Sequence, residues 1–315
     1  MTATTTVGRP RADRGPVRPR RGTDSSQALH AAGFLSPFLV LYVLFIIGPA
    51  LYMVLMSFFH TSLVKPGLGS FAGLTNYAEA FGSADFWSSL WHTIWFTVLT
   101  TPPLILFSLV LALLADRVVR GRWFFRLAFF APYILPSAVM ALIWVWLYTP
   151  ALGLLTTAVT SLGFTAPDWL GNPNWAMISL ALATLWWTLG FNFVLYSAGL
   201  QDIPRELYEA ASIDGAGPWQ QIRRITIPML ARTTTLVAVL QVIASLKVFD
   251  QMYIMTSGGP NYSTRPVLEY IYDVGFTDFR TGYAAAASTL FFLVVLAVSA
   301  VWLVITRNQD KEGVA

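Results

Sequence analysis

Six stretches of the chain are apolar on every helical face, at residues 34–59, 91–115, 127–148, 176–200, 233–255 and 284–306. Each is long enough to cross a bilayer core, which takes about 20 residues as a helix. A segment apolar all round has no dominant face, so the pattern predicts helices surrounded by lipid or by one another. Proline lies in or beside four of them, at Pro37 and Pro49, Pro102 and Pro103, Pro132 and Pro136, and Pro228. Lipid tolerates such prolines where neighbouring helices satisfy the freed carbonyls, so these spans are expected to pack together. The pattern predicts an all-α polytopic membrane protein, with six transmembrane helices over 28–306 between a tail at 1–27 and a second tail at 307–315.

Composition removes the two soluble domains that 315 residues would otherwise suggest. The chain is 56% hydrophobic and only 11% charged, against about 25% charged in a typical soluble protein, and its mean hydropathy is +0.59. The pI of 9.4 does not indicate a nucleic-acid binder, because the net charge of +4 comes from only 36 charged residues. The distribution of basic residues carries more information, since positive charge collects on the cytoplasmic side. Arg9, Arg11, Arg14, Arg18, Arg20 and Arg21 precede span 1; Arg117, Arg120, Arg122 and Arg126 join spans 2 and 3; Arg205, Arg223, Arg224 and Arg232 join spans 4 and 5; Arg307 and Lys311 end the chain. Only Lys65, Arg265 and Arg280 fall on the other side, and Lys247 lies within span 5. Both termini are therefore expected in the cytoplasm. The tail at 1–27 has the composition of a disordered segment, and serves either to contact anionic lipid or simply to fix topology. Arg20-Arg21 resembles an export signal, but the apolar run behind it is too long for a cleaved leader, so span 1 is expected to be retained.

Much chemistry is excluded. Without cysteine there is no disulfide, thiolate metal site or cysteine nucleophile, and His30, His60 and His92 are far apart. No metal ligand set and no catalytic residue is expected. None of the three lysines follows glycine in a phosphate-loop pattern, so the chain holds no Walker-type ATP site of its own. A membrane enzyme acting on lipid-linked substrates would need an interfacial acid or histidine constellation, and the only acidic cluster, 202–214, has another reading given below. An ion-driven carrier would need ionisable groups inside its spans. Only Lys247 and Asp250 qualify, three apart on span 5 and about 22–27 Å along it from Arg232 at 1.5 Å per residue. They form either a self-neutralising pair near the interface or a polar contact for a hydroxyl-rich solute.

The connection over 201–228 divides by local chemistry into two short helices. Pro204 suits a first helical turn, Glu206 adds favourable charge there, and Gly215 is a natural stop. Leu207, Ala210, Ala211 and Asp214 then share a face whose alanines admit another backbone, and Arg205 can pair with Glu209 four residues on. A second helix opens at Pro218, with Trp219, Ile222 and Ile225 as an apolar stripe and Arg223 and Arg224 turned to headgroups or solvent. A flexible elbow would need no capped, small-faced helix, so the loop reads as a docking element.

Glu209-Ala210-Ala211, three residues, Gly215, nine residues, then Ile225-Thr226-Ile227-Pro228 resembles the EAA loop of ABC-importer permeases. Ile227 stands where leucine is usual and Ile222 where phenylalanine is frequent; both keep an apolar side chain. Gly73-Leu74-Thr75-Asn76-Tyr77, Phe130-Ala131-Pro132 with Leu142-Ile143-Trp144, Ala198-Gly199-Leu200, and Thr256-Ser257-Gly258-Gly259-Pro260 with Ser263-Thr264 and Tyr270-Ile271-Tyr272 are similar to segments of the maltose and glycerol-3-phosphate branch of that family.

The resemblance implies a type I ABC-importer permease fold in a prokaryotic plasma (inner) membrane. A second, non-identical permease would share the pathway, and two ATPase subunits would hold ATP and Mg. An external solute-binding protein would deliver a sugar or oligosaccharide, with glycerol-3-phosphate or another polyol phosphate as the alternative solute. Glu209, Ala210, Ala211, Asp214, Gly215, Ile222, Ile225 and Pro228 would couple to the ATPase, and Gly258, Gly259 and Pro260 would face the binding protein. For the pathway the candidates are Asn192, Tyr196, Gln241, Lys247, Asp250 and Tyr253. Asn192, Tyr196 and Gln241 are polar groups in apolar spans that need partners, which a neighbouring helix could supply as well as a sugar. Most of the 46 aromatic residues suit interfacial or packing positions, Trp144, Trp186 and Trp187 among them.

Overall fold

A computed structural model of the chain describes residues 25–65, 67–117 and 122–312. Of the tail expected at 1–27, residues 1–24 lie outside the described residues, as do 313–315. The described chain is helical, with only two isolated β-bridges, Phe59 with Phe71 and Ser62 with Lys65. It divides into two compact units, Met1–Tyr52 and Met53–Ala315.

The first unit contains α1 (Ser25–Tyr42), a π-turn at Val43–Ile47 and the start of α2 (Gly48–Met56). Together, residues 33–56 form an apolar run long enough to cross a membrane, with no buried position inside this chain.

The second unit is built on α4 (Ala84–Arg117), preceded by the short α3 (Thr75–Gly82). At 34 residues α4 is about 50 Å long, and it reaches three separate cores. Phe86 and Leu90 pack near its start with Val267, Tyr270, Tyr283 and Phe291. Phe96 packs at its middle with Met140, Tyr148, Leu180 and Met252. Ala112 packs near its end with Phe193, Tyr196, Leu230 and Val237. Pro102 and Pro103 sit inside α4 without ending it.

Span 3 is not the single helix expected over 127–148. The structure breaks it into α5 (Arg122–Phe130), a tight turn at Ala131–Ile134, and α6 (Ser137–Tyr148), with a bend of 100°. Pro136 causes the break: it has no N–H to give the helix, and it sits in extended backbone at ψ 144. The carbonyl of Leu135 at the break accepts a hydrogen bond from the Trp187 indole at 3.1 Å, which a dry membrane interior demands. Beyond α6 comes α7 (Leu154–Ser161), then the unbroken α8 (Pro173–Gln201), whose Asn172 caps the Asn174 N–H. A Cβ at Gly190 would fall on the backbone carbonyl of Phe129. That glycine is what lets α8 lie directly against the end of α5.

The connection after α8 forms α9 (Arg205–Ile213), α10 (Pro218–Gln221), a π-turn at Ile222–Thr226, and α11 (Ile227–Met229), followed by α12 (Ala231–Leu246). Span 5 does not continue to residue 255. It ends at Leu246, and α13 (Asp250–Thr256) starts anew after Phe249, at φ −147 and ψ −68. Lys247 and Asp250 thus flank a break rather than share a helix, and no ion pair joins them among the described residues. The sequence has no proline or glycine there, so local propensity gives no warning of it. α14 (Val267–Tyr272) and a π-turn at Asp273–Thr277 lead to α15 (Thr281–Glu312), which runs past the expected end of span 6 at residue 306.

One polar contact ties two of these helices, and one buried carboxyl stands apart from it. Gln241 of α12 donates to the Oδ1 of Asn192 on α8 at 2.9 Å, both buried. Glu269 of α14 is almost wholly buried, and its Oε2 has no partner. Burial, then the nearby Asp273 carboxylate, pushes the Glu269 carboxyl up to about 7, with Arg265 opposing.

Two predictions follow from these groups. The single changes Asn192→Leu and Gln241→Leu should each destabilise the purified protein more than the pair of changes does on a per-residue basis, with a coupling of about 0.6–1.7 kcal/mol. Thermal unfolding in detergent reads the cycle; simple additivity would remove the contact as a tie. Because the folded-state value for Glu269 lies above the ordinary 4.5, its contribution is full below about pH 4.5 and is lost as the pH rises through about 7. Amide exchange in 256–272, corrected for intrinsic rates, should therefore be slower at pH 5.5 than at pH 8, and Glu269→Gln should flatten that difference.

Candidate functional site

Both helix breaks open on the same cavity. Its volume is about 220 Å³, and it is walled by Phe96 and Thr100 of α4, Ser137 at the α6 start, Thr184, Trp187 and Thr188 of α8, Gln241 and Ser245 of α12, and Lys247 to Gln251 across the second break. Ser137 Oγ donates to Asp250 Oδ2 at 2.9 Å, joining one break to the other. Gln251 Nε2 donates to Thr184 Oγ1 at 2.9 Å, while the Gln251 Oε1 stays buried without a partner. Irregular backbone at membrane depth is tolerated only where it is buried in protein or lines a cavity. Hydroxyls, amides, one carboxylate, one ammonium, an indole and two phenyl rings converge here. Such a set can hydrogen-bond and stack against a polyhydroxylated solute.

A larger chamber of about 830 Å³ lies at the start of α4. Glu79, Asp85, Glu269, Asp273 and Asp278 face Arg265 and Arg280 across it, with Tyr253, Tyr262, Tyr270 and Tyr283. Both arginines are engaged. Arg280 donates to both carboxylate oxygens of Glu79 at 2.7 Å. Arg265 stands 3.4 Å from Asp85, with its guanidinium 3.9 Å from the centre of the Tyr262 ring. Burial raises the Asp273 carboxyl above its ordinary value, against the pull of Arg265. The turn between α13 and α14 is closed from inside: Thr264 Oγ1 donates to the Gly259 carbonyl at 2.7 Å and meets Thr256 Oγ1 at 2.9 Å.

The loop of α9 to α11 lies at the other end of α4. Pro204 precedes α9, and the helix stops before Gly215, whose φ of +77 is a left-handed conformation that glycine adopts without strain. Ala216 then donates back to the Ala211 carbonyl at 2.8 Å. Side chains brace the two short helices: Gln221 Nε2 donates to Ser212 Oγ at 2.9 Å, and Tyr208 and Thr226 share a hydroxyl contact at 2.9 Å. A cavity of about 360 Å³ lined by Leu113, Asp116, Leu200, Tyr208 and Ile222 lies beneath them.

The residues singled out from sequence fall into distinct places. Glu209, Ala210, Asp214, Gly215 and Pro228 are exposed, and Ala211, Ile222 and Ile225 half-buried. The stripe expected of Trp219, Ile222 and Ile225 is divided: Ile225 joins the core around Tyr196, Ile222 lines the cavity, and Trp219 is 72% exposed. Arg205 and Glu209 form no ion pair among the described residues. Gln241, Lys247 and Asp250 line the inner cavity, Tyr253 lines the larger chamber, and Asn192 and Tyr196 are buried behind them. Gly258 is buried and Gly259 and Pro260 half-buried, leaving Asn261 and Tyr262 as the exposed tip of their turn. Sequence reading passed over Ser137, Thr184, Thr188 and Gln251, although Thr184, Trp187 and Thr188 show one polar helical face in an otherwise apolar span. It also passed over the carboxylates of the chamber, which come from three separate segments.

Residues 104–309 match the family described as binding-protein-dependent transport system inner membrane component. The sulfoquinovosyl glycerol transport system permease of Agrobacterium fabrum is 36% identical over 290 residues, 92% of this chain and 94% of that protein. An sn-glycerol-3-phosphate transport system permease of Salmonella typhimurium is 36% identical over 271 residues, 83% of this chain and 89% of its own length. A bacterial alginate ABC transporter, crystallised in complex with an alginate pentasaccharide-bound periplasmic protein, shares the fold at a TM-score of 0.80 and 22% identity, over 91% of this chain and 96% of that one. Span pattern, loop and matches agree: the chain belongs to the binding-protein-dependent inner-membrane transport components, the permease subunits of ABC importers, and is a transporter subunit rather than an enzyme.

Proposed function

We propose that this chain and a second, non-identical permease line the pathway for a sugar or oligosaccharide. Two ATPase subunits, holding ATP and Mg, drive it through the α9–α10 loop, and an external binding protein loads it. The reading rests above all on that loop. Its two helices are braced from within, yet Leu207, Ile213 and Trp219 stand bare, with Ile213 87% exposed. Apolar tips held on a stiff support suit a partner surface, and the exposed Glu209 can give it a charged hydrogen bond. ATP-driven closure of the motor subunits would then shift the spans as rigid bodies between two packed states.

The side of the membrane follows from charge. With the loop and both termini in the cytoplasm, the chamber at the start of α4 opens outward, and its tip at Asn261 and Tyr262 faces the binding protein together with the Gly258–Pro260 turn. The basic tail at 1–27 then lies against the inner leaflet or in the cytoplasm, and residues 28–306 form the membrane domain. The inner cavity, with Gln241, Lys247 and Asp250 joined by Ser137, Thr184 and Gln251, serves as the solute site, while Asn192 and Tyr196 support it from behind. A sugar is favoured over a polyol phosphate because, of the two arginines lining the chamber, Arg280 is held by both oxygens of Glu79 and Arg265 is paired with Asp85.

Glu209→Lys should cut uptake in proteoliposomes at least about tenfold, the effect of losing a charged hydrogen bond of about 1.5–3 kcal/mol, and Gly215→Asp should also cut it, by placing a charged side chain on the left-handed turn at φ +77, while membrane insertion is unchanged in both. Uptake at the wild-type level would refute the docking role. Because the natural chain has no cysteine, single cysteines can report sidedness. One placed at Ser212 should label only after the membrane is permeabilised, and one at Tyr262 in intact cells; the reverse pattern would invert the topology.

A further inference from the structure

Each arginine in the larger chamber is held in the same way, by one acidic side chain and one tyrosine ring. Arg280 donates to the Glu79 carboxylate at 2.7 Å and lies 4.6 Å from the centre of the Tyr283 ring. Arg265 pairs with Asp85 at 3.4 Å and stands 3.9 Å from the centre of the Tyr262 ring. Guanidinium groups suit this double grip. A ring face attracts a cation within about 6 Å, and a carboxylate accepts its N–H groups.

The same chamber carries a third set of these parts. Glu269, Asp273 and Tyr253 all line it, and both carboxyl groups act electrostatically on the Tyr253 hydroxyl. Among the described residues, no arginine or lysine forms an ion pair with Glu269, Asp273 or Asp278. Glu269 is 1% exposed, and its Oε2 is buried with no hydrogen-bond partner. Asp273 repels Glu269, and Asp278 repels Asp273 in turn. Arg265 opposes both effects from a distance, but its ion pair is with Asp85. Tyr253 adds a ring that is 38% exposed. This wall is short of one positive charge.

A metal ion fits poorly. It would need several oxygen ligands closing on one point, and among the described residues no three acidic or histidine side chains are grouped in that way. One guanidinium or ammonium group needs only one or two carboxylates and a ring face, as the two resident arginines show. The chamber, at about 830 Å³, has room for an incoming side chain. Tyr262 lines it from the exposed tip of the turn between α13 and α14.

We infer that the chamber is a socket for a basic side chain of the external binding protein, arginine before lysine, seated by Asp273 and Tyr253 beside Glu269. This rests on the binding-protein reading above and adds the chemistry of the contact: the partner presents positive charge to this wall. Arginine is preferred because its planar fork can bond a carboxylate and lie on a ring at once.

The test uses the complete importer in proteoliposomes, with ATP hydrolysis followed as its own binding protein is titrated at saturating solute. Asp273→Asn should raise the half-maximal binding-protein concentration about tenfold with the maximal rate unchanged, whereas Asp273→Glu should stay within about threefold of wild type. Asp278→Lys, at an exposed position, should shift it in the same direction and keeps the test independent of how well Asp273→Asn folds. Wild-type values in Asp278→Lys and in folded Asp273→Asn would overturn the socket and leave the binding-protein reading standing. A shift in the solute concentration required, with binding protein already saturating, would also overturn it, by assigning the cation to the solute. A wild-type importer whose ATP hydrolysis its binding protein does not stimulate would sink both readings.

Discussion

A bilayer supplies no hydrogen bonds, so a spanning chain can leave the helical state only where its own side chains or a polar cavity take over that role. The rest of this protein is arranged around that constraint. The hydrogen bond from Ser137 to Asp250 joins the start of α6 to the start of α13, the two points at which spans 3 and 5 abandon helical backbone. The Trp187 indole serves a carbonyl at the first break. Without the indole the first break would leave the Leu135 carbonyl unsatisfied at membrane depth, and without the Ser137–Asp250 bond nothing polar would join the two breaks. With them, the breaks become the walls of the inner cavity.

Packing around the breaks follows a second membrane rule. Association between helices in lipid depends on close approach and interhelical polar contacts rather than on hydrophobic burial. Gly190 lets α8 meet the backbone of Phe129, and the Asn192–Gln241 contact holds α12 to the same helix. α4 completes the frame by touching all three cores. The outer surfaces of these helices stay broadly apolar, with Phe107, Leu114 and Trp146 among the exposed side chains, as lipid requires.

Sequence made some of this legible and hid the rest for definite reasons. The apolar runs marked where membrane helices lie, because hydropathy is summed over many residues and tolerates local error. Pro204, Gly215 and Pro218 marked α9 and α10, because each acts through its own backbone geometry. Pro136 was visible as a possible break, but a spanning helix often absorbs a proline, so the 100° bend was not. The break at Lys247–Phe249 has no proline or glycine to announce it, and the Asp250 beside it is bonded to Ser137, 113 residues away. The chamber was hidden for the same reason, since Glu79, Arg265 and Arg280 meet only when α3, α14 and α15 have packed.

The unbroken course of α8 has a mechanical meaning. Thr184, Trp187 and Thr188 form a wall of the inner cavity, and the same helix ends at Gln201, just before α9. No break interrupts the helix between them. Over the roughly 25 Å from Gln201 back to Thr184, a tilt of about 5° imposed at the loop would swing that wall by about 2 Å. A stroke delivered at one membrane face is thereby felt at the cavity as a change of width, with a single rod for its transmission.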